Sequence, residues 1–133
     1  MSFLLDTDIC SAYLKGHRGV ANRFLQYTGG LHISVVTLGE LYTWALRASA
    51  PPTRLQALHD LLSDVVVLDA TADVSRRFGE VRAELLDKGL PPPDMDLLNA
   101  ATALFHDLTL VTHNTKDYQN IPGLRLIDWL QIP

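Results

Sequence analysis

One cysteine, Cys10, in 133 residues excludes an internal disulfide and any cluster of metal-binding thiolates. Long apolar runs are missing too. The longest purely aliphatic one, Val65-Val66-Val67-Leu68, falls far short of the roughly 20 residues a membrane helix needs. Basic residues are outnumbered, 11 Lys and Arg against 15 Asp and Glu for a net charge of −4, which argues against a broadly polycationic surface. The five histidines, His17, His32, His59, His106 and His113, are scattered and form no zinc-type spacing. No basic region precedes Asp6, so no signal peptide is expected, and with so little cysteine the protein is expected in the cytoplasm.

A hydrophobic fraction of 47% and a charged fraction of 20% describe a globular chain rather than a disordered one. The length fits one domain, residues 1–133, able to bury roughly two thirds of its unfolded surface. Charge is unevenly spread. Residues 9–59 carry Lys15, Arg18, Arg23, Arg47 and Arg54 against a single acid, Glu40, so the first half offers cations to a phosphate backbone or simply carries scattered surface charge.

Strand-like and helix-like segments alternate along the chain. Phe3–Asp6, His32–Val36, Val65–Leu68, Thr109–Thr112 and a short Arg125–Ile127 read as strands. Helices are expected over Asp8–Lys15 and Val20–Tyr27, then on the stripe Leu38, Leu41, Tyr42, Ala45 and around Leu55, Leu58 and Leu62. Val74, Phe78, Val81 and Leu85 stripe another helix, which Gly89 ends before Pro91-Pro92-Pro93 forces an extended link. Leu97, Ala100, Ala101, Leu104 and Phe105 mark a last, largely buried helix. Such alternation predicts an α/β fold of three layers, α/β/α, around a mainly parallel sheet. Ligands in these sheets bind beyond the carboxyl ends of the strands.

Acids stand at that edge. Asp6 closes the first strand, Glu40 follows the second, and Asn114 and Asp117 follow the fourth; Asp96 opens the helix leading into it. Carboxylates beside a core need a pairing partner or a cation. Each has an ordinary structural explanation as well. Asp8 is placed as a helix cap, Thr37-Leu38-Gly39-Glu40 has capping-box spacing, Asp94 suits the cap of the last helix, and Asn114 and Asp117 suit a turn. Asp6 has the weakest alternative, and four acids converging would make a Mg²⁺ or Mn²⁺ site for phosphodiester chemistry. Cys10 is expected to be a small buried residue, and His113 a surface histidine beside the site.

The segments Leu4-Leu5-Asp6-Thr7-Asp8-Ile9-Cys10, Ser34-Val35-Val36-Thr37-Leu38-Gly39-Glu40-Leu41, Asp96-Leu97-Leu98-Asn99-Ala100-Ala101 and Val111-Thr112-His113-Asn114-Thr115-Lys116-Asp117-Tyr118 together resemble the PIN-domain ribonucleases. The nearest resemblance is to the VapC-type toxins of bacterial toxin–antitoxin pairs, and it runs nearly end to end. It implies a Mg²⁺- or Mn²⁺-dependent endoribonuclease that cuts RNA, forms a homodimer, and is held inactive by a small cognate antitoxin. On that resemblance Asp6, Glu40, Asp96 and Asp117 are the catalytic acids, with Asp6 and Asp96 as the metal ligands. Thr7, Thr112 and Asn114 then support them. Three departures stand out: Asp8 where Asn is common, Asn99 in place of an aliphatic residue, and the proline-rich stretch Gly89–Pro93. The enteric members suggest initiator transfer RNA as substrate. An apolar surface near Leu41–Leu46 would suit an amphipathic antitoxin segment.

Two other readings fit some of these residues. Asp6-Thr7-Asp8 after an apolar strand also resembles the haloacid-dehalogenase phosphatases, with Asp6 as nucleophile, Asp8 essential and Glu40 idle. Alternatively the fold is an inactive PIN-like binding module, whose sign would be loss of one acid.

Overall fold

The computed structural model describes residues 1–90 and 92–131. In chain order the elements are β1 (Phe3–Leu5), α1 (Thr7–Leu14), α2 (Arg18–Gln26), β2 (Leu31–Ser34), α3 (Val35–Leu46) and α4 (Thr53–Leu62). There follow β3 (Val66–Leu68), α5 (Ala72–Asp87), α6 (Asp94–Phe105), β4 (Thr109–Val111), a 3₁₀ turn at Thr115–Asp117, and β5 (Leu126–Ile127). The strands pair in the order β3-β2-β1-β4-β5, every pair parallel. From β1 the chain steps outward to β2 and β3, then returns through α5 and α6 to β4 on the other side of β1. The winding therefore reverses between β1 and β4, and that reversal opens a crevice at the carboxyl edge of the sheet.

Period-two alternation divides the central strands between two cores. Phe3 and Leu5 pack with Ile9, Phe24, Leu41 and Leu58 on the face covered by α1 to α4. Leu4 packs with Leu85, Leu97, Leu110 and Tyr118 on the face covered by α5 and α6. β1 is buried on both faces, so its sequence is apolar without a break. Three layers result, as the alternating pattern requires.

Several local expectations are corrected. Asp6, not Asp8, caps α1: its carboxylate accepts from the Thr7 amide at 2.8 Å. β2 ends at Ser34, whose Oγ caps α3 by accepting from the Thr37 amide at 3.3 Å. The helix thus starts directly off the strand, and Glu40 lies in its second turn, too far along for the Thr37–Glu40 capping box. Asp94 caps nothing. Pro93 takes the cap position of α6, and Asp94 instead pairs with Arg82 at 3.2 Å. Within α6 the buried face runs through Leu97, Asn99, Ala100, Ala101, Thr102 and Ala103, while Phe105, at the last turn, is exposed. Gly89 ends α5 as expected, at φ +71° in the left-handed region that favours glycine. Pro93 is extended (ψ 139°); Pro91 lies outside the described residues. Cys10 is fully buried, and burial first, then the neighbouring Asp6 and Asp8, pushes its thiol well up. No helix among the described residues is long and apolar enough to cross a membrane.

Candidate active site

Asp6 leaves β1 at the point where the winding reverses, and its carboxylate gathers donors from four parts of the chain. Oδ1 accepts from the Thr7 amide at 2.8 Å and from Asn99 Nδ2 at 3.4 Å. Oδ2 accepts from Thr112 Oγ1 at 2.9 Å and from the Tyr118 hydroxyl at 3.0 Å. Thr112 immediately follows β4, so the first and fourth strands meet through this contact. A carboxylate with four donors is held in one rotamer.

The other acids are drawn in by the same neighbourhood. The Tyr118 hydroxyl also reaches Asp96 Oδ1 at 3.2 Å, tying the first turn of α6 to the end of β1. Thr7 donates its hydroxyl to Glu40 Oε1 at 2.7 Å, tying α1 to α3. Asn114 Nδ2 donates to Asp117 Oδ2 across the 3₁₀ turn, and the Asn114 amide donates to Thr112 Oγ1 at 3.1 Å. Asp8 faces the same loop: its Oδ2 accepts from the His113 amide at 2.9 Å, while its Oδ1 is buried without a partner. His113 is a surface histidine, as expected, with Nδ1 2.9 Å from Asp128 Oδ2.

Electrostatics report the crowding. Burial raises the Asp96 carboxyl above its ordinary range; the Tyr118 hydrogen bond pulls it back, and the charges of Asp6, Asp117 and Glu40 raise it further. Asp8 is raised by burial and then by Asp6. Three acids acting on Asp96 place Asp6, Glu40 and Asp117 around one point, and uncompensated charges of one sign at one place attract a cation. The donors are all carboxylate oxygens, a hard set that suits Mg²⁺ or Mn²⁺. Among the described residues no three Asp, Glu, His or Cys side chains close into a ready cage. Glu40 is exposed and Asp6, Asp96 and Asp117 are only partly buried, so the crevice is open to a large polyanion.

All seven expected residues therefore meet at one edge of the sheet: Asp6, Glu40, Asp96, Asp117, Thr7, Thr112 and Asn114. Residue-by-residue reasoning passed over three more. Asn99, 1% exposed, accepts from Ser34 Oγ at 2.8 Å and donates to Asp6. Ser34 and Tyr118, each also 1% exposed, carry no role of their own in the motif segments that contain them. The usable signal was a polar side chain at a core position, Asn99 within Leu97–Ala103, because such a group must find a partner. The phosphatase reading loses support here. Both Asp6 oxygens are occupied by donors, Asp8 turns to the His113 loop, and Glu40 joins the site instead of lying idle. The inactive-module reading fares no better, since all four acids are in place.

Comparison with known proteins agrees with this geometry. The model of the PIN domain family matches residues 3–124. The tRNA(fMet)-specific endonuclease VapC of Shigella flexneri is 35% identical over 97% of this chain and 98% of its own length. Among solved structures, the DNA-bound VapBC of Salmonella typhimurium superposes with a TM-score of 0.91 at 34% identity, covering 97% of this chain and 98% of that one. VapBC2 of Rickettsia felis, bound to a promoter DNA fragment, gives a TM-score of 0.90 at 31% identity, covering 97% and 99%. With the acids at the reversal point of a parallel sheet and this likeness along nearly its whole length, the chain belongs to the PIN-domain family, among the VapC ribonucleases.

Proposed function

We propose that this protein is a divalent-metal-dependent endoribonuclease, the toxin of a toxin–antitoxin pair, and that Asp6, Glu40, Asp96 and Asp117 form its active site. The observation that carries this reading is the single Tyr118 hydroxyl spanning Asp6 and Asp96 (3.0 and 3.2 Å), with the Glu40 and Asp117 charges acting on Asp96. Asp6 and Asp96 would hold Mg²⁺ or Mn²⁺; Glu40 and Asp117 complete the negative field. Bound there, a hard divalent ion supplies Lewis acidity, favouring deprotonation of a water and neutralising charge that grows on the phosphate. The chain's own part is orientation. Thr112 and the Thr7 amide fix Asp6, the Thr7 hydroxyl holds Glu40 over the crevice, and Asn114 aims Asp117. Glu40 is exposed and, among the described residues, bound at Oε1 alone, so its Oε2 can accept a proton from an attacking water.

The relatives' names make initiator transfer RNA the first substrate to test, and the VapBC complexes make a small antitoxin the expected partner. Of the Leu41–Leu46 surface, Leu41 and Ala45 are core, Tyr42 and Trp44 are half-buried, and Leu46 is exposed to a partner. A homodimer is the expected assembly; α5 and α6 expose Leu86, Met95 and Phe105 to support one.

The test is expression in a bacterial host with the purified protein assayed on transfer RNA. Expression of the wild type alone should arrest growth and yield discrete RNA fragments. Co-expression with a small protein from the adjacent reading frame should restore growth, and the Asp6→Asn variant should do neither harm nor cleavage. Normal growth together with no cleavage of any RNA by folded wild-type protein would count against the proposal.

A further inference from the structure

A continuous polar chain runs through the protein beneath the acids. The Thr37 amide donates to Ser34 Oγ at 3.3 Å, Ser34 Oγ donates to Asn99 Oδ1 at 2.8 Å, and Asn99 Nδ2 donates to Asp6 Oδ1 at 3.4 Å. Asn99 also lies against the Tyr118 hydroxyl, whose single proton is shared between Asp6 Oδ2 at 3.0 Å and Asp96 Oδ1 at 3.2 Å. Ser34, Asn99 and Tyr118 are each 1% exposed, so these groups are shielded from solvent competition. Buried polar groups are costly unless fully partnered, and a fully partnered network fixes geometry. The Tyr118 ring is anchored among Leu97, Leu110 and Ile121, which leaves its hydroxyl little freedom. Helix packing alone brings α6 near β1, but nothing apolar determines how close two carboxylates of like charge will stand.

We propose that Tyr118, steadied by Asn99, is a positioning residue for the metal: a neutral donor that holds the Asp6 and Asp96 carboxylates together before a divalent ion binds, and so sets the affinity for that ion. The inference rests on the assignment of Asp6 and Asp96 as metal-holding residues. Neither Asn99 nor Tyr118 touches the ion or the RNA in this account; both act through the carboxylates.

Tyr118→Phe deletes one oxygen and keeps the ring in its core. Mn²⁺ binding is measured by titration calorimetry on the full-length wild type, on Tyr118→Phe, and on Thr102→Val, a control that removes a buried α6 hydroxyl bonded only to the Leu98 carbonyl. Loss of an outer-shell partner weakens metal binding by about tenfold or more. Tyr118→Phe should therefore raise the Mn²⁺ dissociation constant about tenfold, and Thr102→Val should leave it unchanged. The Mn²⁺ concentration giving half-maximal RNA cleavage should rise in parallel, with the rate at saturating Mn²⁺ nearly retained. Asn99→Leu, similar in size and without the donor, should shift the constant in the same direction and serves if Tyr118→Phe does not fold. Wild-type affinity in folded Tyr118→Phe or Asn99→Leu would overturn the proposal, as would an unchanged affinity with a collapsed saturating rate. A wild type that binds no Mn²⁺ would instead remove the assignment on which the proposal rests, a failure visible before any variant is compared.

Discussion

Asp96 carries the sharpest consequence at the scale of single residues. Burial and three neighbouring acids raise its carboxyl above the ordinary value of 3.8, and Asp8 is raised likewise. A raised folded-state value means that the folded protein binds protons more readily than the unfolded chain. The stabilising contribution is fully present below the ordinary carboxylate range and is lost as pH rises through the folded value. In EDTA, melts taken from about pH 8 downwards should therefore show the melting temperature climb as pH falls through the folded value of Asp96. Asp96→Asn should flatten that climb and raise the metal-free melting temperature near neutral pH, while removing metal binding. Thermal melts across that range check it; a metal-free stability that falls on mild acidification, equally in wild type and variant, would contradict it. At Asp6, four donors satisfy the carboxylate oxygens. Asp6→Asn turns an amide NH₂ towards one of them, so it should cost about 1–3 kcal/mol of stability. Cleavage should fall about a hundredfold or more, since several kcal/mol of transition-state stabilisation pass through that carboxylate.

At the scale of elements, α3 matters because it springs straight from β2 with Ser34 as its cap. Ser34→Ala removes that cap and leaves Asn99 without its donor. The expected loss is about 1–2 kcal/mol, seen as a drop of roughly 3–8 °C in melting temperature. A change within experimental error would show that neither bond matters. The elements themselves were largely legible in the sequence, because apolar runs such as Phe3-Leu4-Leu5 and the Val74–Leu85 stripe carry the periods of strand and helix. Starts were less legible. Capping depends on which of several adjacent polar residues turns inward, and Asp6 over Asp8, Ser34 over Thr37, and Pro93 over Asp94 were decided by tertiary partners. The acids are legible only jointly, since Glu40 and Asp117 each suit a cap or turn and Asp6, which closes a buried strand, has the weakest such explanation. Tyr118 and the partners of Asn99 are not legible, since a tyrosine in the polar run Lys116–Asn120 and an asparagine inside an apolar segment show nothing of the atoms they meet until distant elements come together.

At the scale of the whole molecule, the order β3-β2-β1-β4-β5 explains how a chain of net charge −4 can act on a polyanion. The reversal between β1 and β4 gathers scattered acids into one crevice, so the negative charge that opposes RNA binding elsewhere is concentrated where a divalent ion offsets it. Added Mg²⁺ should accordingly stabilise the folded protein by mass action, with a larger rise in melting temperature at higher concentration. Asp6→Asn should lose most of that rise. The central claim, that these four acids form a metal-dependent RNA-cleaving centre, is tested most directly by one add-back measurement. Protein freed of metal with EDTA is dialysed, mixed with transfer RNA, and assayed before and after Mg²⁺ is restored. No fragments are expected before addition, discrete fragments after it, and none at any Mg²⁺ concentration for folded Asp96→Asn. Undiminished cleavage in EDTA, or wild-type cleavage by Asp96→Asn, would contradict it.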